Sequence, residues 1–106
     1  MADATVFFSK KISAILDDAE QTELVRQISE KVETYLKVKT YSNLASSPVS
    51  GFEVSVNLYD VGNITGVQSD FLAWQIKALV IAFVLLKNLF LTPKQVRVTT
   101  QLRAVN

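Results

Sequence analysis

The apolar positions of this chain follow three different rhythms. Between Asp70 and Leu91 (DFLAWQIKALVIAFVLLKNLFL) they are nearly continuous, and Asp70, Lys77 and Asn88 form a thin polar line broken by Ile81 and Val84. Ser69 is a good N-cap, Asp70 sits where the helix dipole favours a carboxylate, and Pro93 forbids continuation. The pattern predicts a helix over 70–91, about 33 Å long at ~1.5 Å per residue. A helix apolar nearly all round is expected to be covered on most sides. At about 1.5–3 kcal/mol per fully buried large side chain, its gross driving force exceeds what a short chain satisfies alone. Ala78 and Ala82, four apart, would let a partner's backbone approach one face.

A helical rhythm also runs from Ser9 to Lys37, but its stripe changes side. Phe8, Ile12, Ile15 and Ala19 cluster on one face, whereas Val25, Ile28, Val32 and Tyr35 point almost oppositely. Either the chain breaks near Asp18–Thr22, with one of those residues as a new N-cap, or one long helix touches different partners with its two halves. Arg26 with Glu30 and Glu33 with Lys37 have the four-residue spacing of pairs on a solvated helix face. Asp17, Asp18 and Glu20 lack the spacing and glycine turn of a cation loop and read as a solvated acidic patch.

The third rhythm is alternation. Phe52, Val54, Val56 and Leu58 alternate with Glu53, Ser55, Asn57 and Tyr59, the mark of a half-buried strand. Beyond Pro93, Val96, Val98, Leu102 and Ala104 alternate with Gln95, Arg97, Thr99, Gln101 and Arg103. Strand, helix and strand over 52–106 make a βαβ-like unit, right-handed if the strands are parallel. Residues 1–8, with Val6, Phe7 and Phe8, read as an edge strand or a docking arm; LKVKTY is a further short strand; Ser42 to Gly51 (SNLASSPVSG) reads as a loop.

The fold class expected is therefore α+β in one domain over 1–106. It has an N-terminal helix or helix pair, two or more amphipathic strands, one long and largely buried helix and a C-terminal strand. Two strands are not a stable sheet. Completion of the sheet is expected from residues 3–8, from 36–41 or, above all, from another subunit.

Composition narrows the chemistry. With no cysteine and no histidine, thiol nucleophiles, Cys/His zinc sites and the usual neutral-pH proton carrier are all missing, leaving carboxylates, lysine and tyrosine. No phosphate-binding glycine loop or other cofactor motif occurs, so no catalytic, cofactor or metal residue is assigned, and the chain is expected not to be an enzyme. The N-terminus lacks a signal peptide's apolar core, giving an intracellular or virion expectation rather than a secreted one. Asn63-Ile64-Thr65 matches a glycosylation acceptor only by accident in that setting.

Net charge is +1, unevenly placed: residues 1–60 carry six Lys/Arg against nine Asp/Glu, and residues 61–106 carry five against Asp70 alone. Such asymmetry suits head-to-tail contact between subunits. The functional expectation is a non-enzymatic structural or assembly subunit of a homo-oligomer, of the kind that builds rings, filaments or virions, with no small-molecule substrate. Its interface is expected at Phe7, Phe8, Ile12, Val25, Ile28, Val32, Tyr35, Ala78 and Ala82. Lys94, Arg97 and Arg103, close together on the last strand, are the candidate nucleic-acid or subunit contact. The alternatives are a membrane-associated protein held through residues 70–91, disfavoured by its interior lysines, and a nucleic-acid-binding or inhibitor-like protein-binding module.

Overall fold

The computed structural model describes residues 2–87 and 92–103. Strand β1 (Ala2–Ser9) leads into a short helix α1 (Lys10–Ile15) and a long helix α2 (Asp18–Leu36), then strands β2 (Thr40–Ser47) and β3 (Phe52–Tyr59). Helix α3 (Gly66–Lys87), a 3-10 turn (Pro93–Gln95) and strand β4 (Val96–Arg103) complete the described chain. The four strands form one sheet in the order β2-β1-β3-β4. β1 runs parallel to β2, β3 runs parallel to β4, and the central pair β1 and β3 is antiparallel.

The chain is thus two successive βαβ units joined through their first strands. The expectation that another subunit completes the sheet is corrected here, because the first half supplies two strands of its own. Residues 2–9 are an interior strand rather than an edge or an arm: Ala2, Ala4, Val6 and Phe8 are buried, and Ala4, Val6 and Phe8 lie opposite Leu58, Val56 and Val54. The segment expected as a loop over 42–51 is mostly β2, leaving only residues 48–51 as a connection. Its polar run SNLASS holds as an edge strand because β1 supplies its backbone partners from Ala2 to Ser9.

The 9–37 region breaks, as one of the two expected arrangements required. Ser9 caps α1 and also accepts from the Glu53 backbone N–H at 3.1 Å, tying the helix start to β3. Asp17, one residue before the expected break, caps α2: its carboxylate accepts from Glu20 N–H at 2.7 Å while Glu20 accepts from Asp17 N–H at 3.0 Å. That reciprocal pair satisfies two of the open donors at a helix start and accounts for the acidic patch.

α3 begins four residues before the expected Asp70 because Thr65 and Gln68, not Ser69, make the cap: Gln68 N–H donates to Thr65 Oγ1 at 3.1 Å and Thr65 N–H to Gln68 Oε1 at 2.8 Å. The expected end at Leu91 lies outside the described residues. α3 is also not largely buried. Leu72, Ile76, Val80 and Val84 seal it against the sheet, but Val67, Phe71, Trp74 and Leu86 are exposed. One sheet face and one neighbouring helix cover only one side of a helix that is apolar on all sides. α2 lies antiparallel beside it, with Tyr35 against Phe71 at one end, ring centroids 5.4 Å apart, and Glu20 paired with Lys87 at 2.7 Å at the other.

The core lies between the helices and one sheet face. Phe8, Val54, Val56 and Leu58 meet Ile12, Leu24, Ile28, Val32, Leu72, Ile76 and Val80 there, all with almost no exposure. The opposite sheet face carries Asp3, Thr5, Phe7, Tyr41, Asn43, Ser55, Asn57 and Tyr59 and, among the described residues, has no helix over it.

Candidate active site

In each βαβ unit the helix returns the chain to the start of its second strand, and a pocket lies there. In the first unit α2 ends at Leu36 and Lys37 adopts the left-handed conformation (φ 57°, ψ 41°) that turns the backbone out of the helix. Lys39 follows, and Thr40 opens β2 beside Ala2 of β1. Glu33, one turn from the helix end, does not pair with Lys37 as its spacing suggested. Its Oε2 accepts from the Thr40 backbone N–H at 2.8 Å, pinning the strand start to the helix.

A pocket of about 310 Å³ results, lined by Glu33, Thr34, Lys37, Val38 and Lys39. Next to it, sharing Thr34, lies one of about 330 Å³ lined by Glu30, Lys31, Thr34, Tyr35 and Gln75. Lys31, Lys37 and Lys39 are exposed and make no ion pair among the described residues. The nearby carboxylates are already engaged: Glu33 with Thr40, and Glu30 with Arg26. Glu23 also bonds Arg26, which holds its carboxyl down at about 2. Three ammonium groups without an ion partner therefore stand along two adjoining pockets that the Glu33 and Glu30 carboxylates also line, and they supply the charged donors an anion would need. The Thr40 hydroxyl is buried with no hydrogen-bond partner among the described residues.

The second unit repeats the arrangement at the start of β4. A pocket of about 240 Å³ is lined by Val49, Gly51, Phe52, Glu53, Lys94, Gln95 and Arg97, and Lys11 stacks over Phe52 with its Nζ 5.2 Å from the ring centroid. Lys94 and Arg97 do come together, and they share this pocket with the carboxylate of Glu53, the register partner of Arg97. Arg103 is not part of the cluster. It pairs with Tyr59 at the other end of β4, about 20 Å away at ~3.3 Å per residue.

The residues expected at a subunit interface divide in two. Phe8, Ile12, Ile28 and Val32 are sealed within the chain's own core and offer no surface to a neighbour. Phe7, Val25 and Tyr35 are half-buried, while Ala78 and Ala82 are exposed on α3. The lysine trough was missed because Lys37-Val38-Lys39 reads as alternation within a strand. The usable signal was two lysines within three positions immediately after a long helix.

No family model matches the sequence, and no curated protein matches it. Solved structures do share the fold. One is N1, a member of the cis-3-chloroacrylic acid dehalogenase family, 13% identical, with 96% of this chain and 75% of that chain aligned at a TM-score of 0.63. Another is a symmetric trimer of fused 4-OT, 15% identical over 97% of this chain and 85% of that one, TM-score 0.61. A third is macrophage migration inhibitory factor from Toxoplasma gondii, 14% identical over 96% and 90%, TM-score 0.62. These likenesses correct three expectations: that the chain is a structural or virion subunit, that it is not an enzyme, and that it has no small-molecule substrate. These neighbours carry the names of a dehalogenase family, of 4-OT and of macrophage migration inhibitory factor, and a trimer among them is compatible with homo-oligomerisation. What the likeness shows is the fold: the chain shares the mixed α+β architecture of these structures, built on a four-stranded sheet.

Proposed function

We propose that this protein is an enzyme acting on a small carboxylate at the trough formed by Lys31, Lys37 and Lys39, and that it works as a homo-oligomer. The observation carrying the reading is the set of unpaired ammonium groups at the junction of α2 and β2, in a fold shared with a protein named for the dehalogenation of a chlorinated acrylic acid. Two ammonium groups held a few residues apart bind a carboxylate by charge-assisted hydrogen bonds. In a chain without histidine or cysteine, a lysine ammonium is an acid that can give a proton to the carbon beside that carboxylate, and the Glu33 carboxylate lining the same pocket is the base that can take one. The helix-free sheet face, with Phe7, Tyr41 and Tyr59, is the surface a homo-oligomer would cover.

The test is an assay of proton exchange and of water addition on a panel of small unsaturated and 2-oxo carboxylates, followed by NMR. Lys37→Ala and Lys39→Ala are expected to lower kcat/KM by about 100-fold, within the ~10²–10⁴ range of a positioned acid or base, with folding unchanged. Turnover unaffected by both substitutions, or none on any carboxylate of the panel, would remove the reading.

A further inference from the structure

The outward face of α3 is apolar along its length and, among the described residues, is touched at one edge by Tyr35 beside Phe71 and is otherwise left largely open at its N-terminal half. Val67 is 79% exposed, Phe71 46% and Trp74 68%. With Ala78, Ile81 and Leu85 these residues follow a 4-3-4-3-4 spacing, the repeat of a two-helix coiled-coil seam. Beside the seam is a groove of about 460 Å³ lined by Phe71, Trp74, Ala78, Leu79 and Ala82, with Lys31 and Gln75 of the neighbouring trough at its edge.

Two charges flank the seam on one side. Asp70 and Lys77 are seven positions apart, hence about 10 Å along the helix, too far to meet each other. Neither makes an ion pair among the described residues. When two copies of α3 pack antiparallel about a two-fold axis, each flank faces the same flank of the other copy. An axis near Ala73 then sets Asp70 of one copy opposite Lys77 of the other, twice. The same register sets Val67 over Ala78 of the second copy and Phe71 against its Trp74, large against small at one level and aromatic against aromatic at the next. A parallel pairing would instead set this flank against the opposite one, Asp70 against Gln75 and Lys77 against Ala82, leaving both charges without a partner.

We propose that α3 is a self-association surface, pairing antiparallel with α3 of a second copy through Val67, Phe71, Trp74 and Ala78, with reciprocal Asp70–Lys77 contacts. The surface lies on the helix layer, away from the open sheet face. It therefore adds to any assembly made through the sheet and does not depend on the enzymatic reading.

The experiment compares the mass of the full chain by light scattering across a dilution series with the emission of Trp74, the only tryptophan. Wild type is expected to halve in mass on dilution as Trp74 emission shifts red. Asp70→Lys should show the half-mass species at all concentrations with unchanged circular dichroism. The double variant Asp70→Lys with Lys77→Asp should restore wild-type mass. A wild-type mass that Asp70→Lys leaves unaltered would overturn the proposal, as would failure of the double variant to recover. So would a Trp74 shift that appears only with anionic vesicles.

Discussion

Thr40 carries two hydrogen-bonding groups beyond its carbonyl, and the fold satisfies one. Its N–H reaches Glu33 while its hydroxyl is buried without a partner among the described residues. An unpaired buried hydroxyl costs about 1–3 kcal/mol, so an isosteric apolar side chain removes a penalty. Thr40→Val is expected to stabilise the protein by about 1 kcal/mol in urea unfolding, whereas Glu33→Ala, which orphans the Thr40 N–H, should destabilise it by a similar amount. At this scale the sequence was partly legible. Ser9 was readable as a cap because a hydroxyl before a helical rhythm has few other uses. Thr65 was hidden behind an apparent glycosylation triplet, and Glu33 behind an apparent pairing with Lys37. Both are residues with two candidate partners, and choosing between them needs the third dimension.

Among the elements, the ends of α2 and α3 are clipped together by Glu20 and Lys87. The hydrogen bond from Lys87 holds the Glu20 carboxyl below its ordinary value, and Glu20 in turn raises Lys87 above its own. The signs follow from this. The Glu20 contribution to stability is complete above the ordinary carboxylate value of 4.5 and is lost as pH falls through the lowered folded value. The Lys87 contribution is complete below 10.5 and is lost as pH rises through the raised one. Both groups are solvent-exposed, so the effect is small and screened by salt. Glu20→Gln should lower the melting temperature slightly at pH 7 and low salt, and the difference from wild type should vanish toward pH 2 and in about 1 M salt. Element boundaries were legible where apolar alternation was strong, as in β3 from Phe52 to Tyr59. They were not legible in β2, whose polar residues make a strand only because β1 pairs with them. β1 itself was obscured because Ala2 and Ala4 carry little apolar weight in a pattern, yet both are buried, Ala4 opposite Leu58 of β3 and Ala2 beside Thr40 of β2.

For the whole molecule, the core residues of α2 separate two ideas of what the helix does. Ile28 has no exposed surface and packs within the chain. Ile28→Ala is expected to cost about 2–5 kcal/mol as a cavity, independent of protein concentration. A cost that grew on dilution would return Ile28 to a subunit interface. The α+β class was readable from the three hydrophobic rhythms. The enclosure of the sheet was not, because a half-buried helix and a fully buried one read alike when every face is apolar. The lysine trough was equally hidden, since it is assembled from a helix end, a turn and a strand start that only the crossover brings together.

The strand order β2-β1-β3-β4 also governs how the chain reaches its native state. No two strands joined by a short turn are partners: β2 and β3, only four residues apart, are separated by β1. Ala2 must find Thr40 across two helices, and Phe52 must find Val96 across a third. Without a hairpin to zip, every ladder closes a long loop, and loop closure of that kind slows folding. The helices hold the local contacts of the fold, so α2 and α3 are expected to form before the sheet closes. Until β1 and β3 dock, α3 carries its apolar surface bare on every side, which makes the interval before sheet closure the period of greatest exposure to aggregation.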